Sequence, residues 1–157
     1  MFVLQRMMEA LDQALSGHGV IRDVILRTEH SLLEDEETRE ITVYVTATAE
    51  EAEQPLATVH LFPLPDGAAC EVEAEIAYPG AGEAEAAARL WERARAIVPE
   101  VSLTEKRRCL KPGVPAERGV TLDFHFVVEG PETNEANVRC RQALDRFAAD
   151  LGRLLRL

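Results

Sequence analysis

Aromatic side chains are scarce in this 157-residue chain: five Phe, two Tyr and one Trp make up 5% of it. A core must therefore be filled by Leu, Val, Ile and Ala, which a hydrophobic content of 46% allows. No stretch approaches the roughly 18–20 consecutive apolar residues of a membrane span. The start of the chain, Met1-Phe2-Val3-Leu4-Gln5-Arg6, lacks the basic and long apolar regions of a secretory leader, so a cytoplasmic protein is expected. The three cysteines, Cys70, Cys109 and Cys140, are odd in number and far apart, with no CxxC or Cys/His pair at zinc spacing. They read as small core hydrophobes, and neither a disulfide framework nor a bound metal is expected.

Chemical motifs are missing too. Gly80-Ala81-Gly82 has neither phosphate-loop spacing, and no GxSxG elbow is present. The acidic run Glu34-Asp35-Glu36-Glu37 lacks the alternation and glycine of a calcium loop. The four histidines, His18, His30, His60 and His125, share no helical i, i+4 spacing. His60 and His125 could form an acid–base or metal trio with a glutamate only if their strands were neighbours. These absences argue against an enzyme, and no catalytic, cofactor-binding or metal-binding residue is assigned.

What the chain has is charge, unevenly placed. Residues 1–88 carry 18 acids and 4 bases, whereas residues 89–157 carry 10 acids and 13 bases, for a total of −11. An acidic protein repels nucleic acid and anionic lipid at long range, so neither is expected as a partner. The acidic half could attract a basic partner. The one dense basic patch, Lys106-Arg107-Arg108 with Lys111, has no aromatic platform beside it for bases. It could grip an acidic peptide or the acidic half of a second copy.

The periodicities divide the chain into nine elements. Leu4, Met8, Leu11 and Leu15 form one stripe of a helix over 2–16, ended by Ser16-Gly17-His18-Gly19. Strands are expected over 20–31, 40–48, 55–64 and 69–78, with acidic or Pro-Gly turns between them. In the last of these, Cys70, Val72, Ala74, Ile76 and Tyr78 alternate with Glu71, Glu73 and Glu75. An Ala-rich helix over 83–97 stops at Pro99. A weaker strand over 101–110 is interrupted by its basic patch, and a strong one covers 119–128. Thr133 is the expected N-cap of a last helix whose buried stripe is Cys140, Leu144, Phe147, Leu151 and Leu154. The expectation is a single α+β domain over 1–157, an antiparallel sheet of about six strands with three helices in the order αββββαββα. One stripe per helix suits three helices on one sheet face.

The strands over 20–28 and 55–64 are apolar in both registers: Ile21 and Ile25 against Val24 and Leu26, Val59 and Leu61 against Leu56 and Phe62. Neighbours on a strand face opposite sides, so a second side must be covered by something. Leu26, Leu56, His60 and Phe62 are the candidate partner-binding residues. The element order, the acidity, and the closing stretch of strand, Pro131-Glu132-Thr133 turn and long terminal helix together resemble the class I type III secretion chaperones and the YbjN-type bacterial proteins. Four strands precede the middle helix here, where those chaperones have three. The resemblance implies a homodimer that binds an extended segment of a client protein, without catalysis or cofactor. The alternative is a helix-grip-like binder of a small hydrophobic ligand, with a curved sheet closing on the last helix.

Overall fold

The computed structural model describes residues 2–31, 36–48, 54–64, 69–78, 84–108, 111–113, 117–130 and 133–157. Its elements run α1 (Phe2–Gly17), β1 (Ile21–Ser31), β2 (Glu36–Thr46), β3 (Leu56–Pro63), β4 (Ala69–Tyr78), α2 (Ala84–Ile97), β5 (Ser102–Arg108), β6 (Glu117–Glu129) and α3 (Asn134–Leu155). This is the expected α+β order. The strands form one antiparallel sheet in the order β1-β2-β3-β4-β6-β5. The first four make a meander. After α2 the chain returns to the far edge as β5, and β6 then fills the place between β5 and β4.

Strict alternation on β4 and β6 decides which side the helices cover. Cys70, Val72, Ala74 and Ile76 of β4 are buried, as are Val120, Leu122, Phe124 and Val128 of β6. The same side takes Ile41, Val43 and Val45 from β2 and Ala57, Val59 and Leu61 from β3. Against it lie Leu4, Met7, Leu11 and Leu15 of α1 and Cys140, Leu144, Phe147, Leu151 and Leu154 of α3, all in one core. Fully burying each such aliphatic side chain stabilises the fold by about 1.5–3 kcal/mol. Met7 rather than Met8 completes the α1 stripe; both positions fit a 3.6-residue period after Leu4, and packing against α3 selects the first.

Local chemistry fixes the ends. Gly19, at φ 67°, adopts the left-handed conformation that leads out of α1. Val98 precedes Pro99, which disfavours helical backbone there, and α2 ends at Ile97. Thr133 accepts the amide of Ala136 at 3.0 Å and caps α3 as its sequence suggests. At the other end of α3 the buried Tyr78 hydroxyl donates to the Leu154 carbonyl at 2.8 Å, satisfying one of the last-turn acceptors.

Two expectations shift. β2 begins at Glu36, so Glu36 and Glu37 belong to a strand rather than a hairpin tip; Glu34 and Asp35 lie outside the described residues. β5 runs through the basic patch as far as Arg108, because an edge strand accepts charged side chains that a central one would exclude. The Pro65-Asp66-Gly67 turn also lies outside the described residues. No helix among the described residues is long and apolar enough to cross a membrane.

Burial keeps three groups in the core neutral. It pushes the Cys70 thiol up to about 11, with Cys140 nearby adding to the effect, and it raises Cys140 and the Tyr78 phenol as well. The unfolded chain gives up these protons near pH 9–10, at the ordinary values of Cys and Tyr. Above that the unfolded state binds fewer protons than the folded one, so stability falls as pH rises. The urea midpoint at pH 10.5 should lie below that at pH 8, and the drop should be smaller in Tyr78→Phe. An equal drop in both proteins would contradict the burial of that phenol.

Candidate surface for a protein partner

The other side of the sheet has no helix on it among the described residues. Its composition follows from the register, since residues paired across strands share a face. One row runs Ile25, Thr42, His60, Glu73 and His125. The next runs Asp23, Tyr44, Thr58, Glu75, Asp123 and Ser102. A third begins Ile21, Thr46, Leu56, Ala77 and Thr121.

These rows split the open face into two parts. On β1, β2 and β3 it exposes large apolar side chains among threonines, His60 and Asp23: Ile21, Ile25, Tyr44 and Leu56 are each 39–44% exposed. Within this area the Thr42 side chain is buried, the only polar residue in that class among those described. Its hydroxyl lies 3.2 Å from His60 Nδ1, and the His60 ring stacks on Phe62 at 5.8 Å. On β4 and β6 the face is acidic. Glu71, Glu73 and Glu75 share it, and Glu75 sits directly opposite Asp123. Like charges directly opposite on a sheet are mutually destabilising, by about 0.2–1 kcal/mol. A cation placed over the pair would relieve that repulsion.

The candidate residues divide. Leu56, His60 and Phe62 lie on the open face. Leu26 does not: its register with Ile41 and Leu61 turns it to the helix side. It is still 42% exposed, because β1 is the outermost strand and has a neighbour on one side alone. Ile21, Ile25 and Tyr44 take its place beside Leu56. The sequence signal for Tyr44 was its position in the threonine register of β2.

The strands of His60 and His125 are not neighbours: β4 lies between them, with Glu73 opposite both. Their side chains do not gather. His60 is turned toward Thr42 and Phe62, and no group of three His, Cys, Asp or Glu side chains among the described residues could hold a metal ion. On the helix side, a groove of about 600 Å³ opens between the end of α2, β6 and α3. Ile97, Phe124, Phe126, Ala143 and Phe147 line it, with Arg146. Phe126 and Phe147 are tilted against each other at 5.3 Å. The volume directly between α3 and the sheet is filled by the core leucines, so the groove is marginal to it. No protein-family model, no curated protein and no solved structure matches this chain.

Proposed function

We propose that the protein is a non-catalytic binding module, of chaperone-like type, whose open sheet face holds a segment of another protein rich in apolar and basic residues. The observation that carries this reading is the juxtaposition on one helix-free face of Ile21, Ile25, Tyr44 and Leu56 with the acids Glu73, Glu75 and Asp123. Exposed apolar area gathered in one patch is a common sign of an interaction site. The charge decides the partner. A chain of net charge −11 that sets Glu75 against Asp123 favours a cationic segment over an acidic one, both in approach and in contact. An extended client turns every second side chain to the sheet, so one with Leu and then Lys at those positions would set its apolar part over β1, β2 and β3 and its basic part over β4 and β6.

The test is fluorescence anisotropy with two short labelled peptides, one carrying Leu and then Lys at every second position, the other Leu and then Glu. The Lys peptide should bind, more weakly as salt rises, and the Glu peptide should not. Glu75→Lys should weaken binding about tenfold or more, the equivalent of about 1.4 kcal/mol. Equal binding of both peptides, or binding indifferent to Glu75→Lys, would count against the reading. The phenylalanine-lined groove favours a second reading, a small hydrophobic ligand. Such a ligand would perturb Phe126 and Ile97 and leave the open face unchanged.

A further inference from the structure

The two edges of the sheet are unlike. β5 is seven residues long and carries Glu105, Lys106, Arg107 and Arg108, a density of charge that discourages pairing with another strand. β1 is eleven residues long, has no proline, and exposes Ile21, Ile25 and Leu26. Among the described residues no strand lies beside its outer backbone groups. A long edge that exposes large apolar side chains in this way is a template for a further strand.

The sequence of β1 selects what that strand is. In a two-fold arrangement with antiparallel strands, opposed residues must lie on the same face, so only every second register is open. Centred on Ile25, the strand meets itself with Ile25 opposite Ile25 and Val24 opposite Leu26. Asp23 then faces Arg27, twice by symmetry. A shift to the adjacent allowed register on either side sets Ile25 against Asp23 or against Arg27 instead. Asp23 is exposed and has no ion pair among the described residues. Arg27 reaches Glu40 only at 3.7 Å and remains more than half exposed, which leaves it able to meet a second carboxylate. Leu26, which neither the core nor the open face accounts for, would be covered. We propose that two copies of the chain join edge to edge through β1, antiparallel about a two-fold axis at Ile25, each Asp23 facing Arg27 of the partner subunit.

The pairing makes one twelve-stranded sheet with the helices of both copies on one side and both open faces on the other. It concerns the edge and stands apart from what the open face binds: peptide binding by a monomer would leave that reading intact and overturn this one. Sedimentation equilibrium of the wild type should give a dimer. Asp23→Arg and Arg27→Asp should each raise the dissociation constant about tenfold or more, because each sets like charges opposite at two contacts. Mixing the two variants restores opposite charges at both contacts, so the mixture should dimerise where neither variant does alone. Ile25→Cys in a Cys109→Ser background should form a disulfide between copies under mild oxidation, since this residue lies opposite itself; the added strand of a client would not produce that link. A monomeric wild type, a mixture that stays monomeric, or a dimer in which Ile25→Cys does not cross-link would each overturn the proposal.

Discussion

Phe147→Ala should destabilise the protein by about 3 kcal/mol, the lower end of the range of about 3–5 kcal/mol for truncating a buried phenylalanine. The ring is 4% exposed on α3 and packs against Phe124 at 5.8 Å and Phe126 at 5.3 Å. Few other aromatics exist to compensate, and removing this one leaves both partners facing a void. The groove beside it sets the lower figure, because water or neighbouring side chains can enter part of the space. Total stabilities of about 5–15 kcal/mol are usual, so the loss is a large share. In a domain of this size it lowers the melting temperature by about 6–12 °C. An unchanged urea midpoint would mean that α3 is a detachable tail and not part of the core.

A larger effect is expected on β3, from one of two adjacent residues. Leu61→Glu places a carboxylate in the helix-covered core, where the wild-type side chain is fully buried. Desolvating an unpaired charge costs more than the fold can spare, so this variant should be unfolded or should lose more than about 4 kcal/mol. Phe62→Glu places the same charge on the open face. There it loses the stack on His60 and meets Glu71 across the strand pair, for a cost of about 1–2 kcal/mol with the fold kept. Circular dichroism and urea titration separate the outcomes. If both variants unfold, the second face is core and offers no surface; if both remain folded, the assignment of sides is wrong.

The pair also shows where sequence reading stops. The alternation on β4 and β6, the helical stripes and the Thr133 cap were all legible, because each is a local pattern with one solution. The relative phase of β1 and β3 was not. Both strands are apolar in both registers, so neither announces which side faces the helices, and the phase across the sheet is set by pairing through β2. That is why Leu26 was grouped with Leu56 and Phe62, while Ile21 and Ile25 share their face. The placement of β6 between β4 and β5 is likewise a long-range pairing. It alone brings Asp123 to Glu75 and His125 to Glu73. The acidic half of the candidate surface was therefore visible as a ladder on one strand, and its concentration across two strands was not.

The central claim, that the open face receives a basic and apolar segment, is tested most directly by nuclear magnetic resonance mapping of the complex with the Leu–Lys peptide. Amide shifts are expected at Ile25, Thr42, Leu56, Glu73, Glu75 and Asp123, with α1 and α3 unmoved. Shifts confined to Ile97, Phe126 and Phe147 around the groove, or scattered over the acidic surface without those open-face residues, would contradict it.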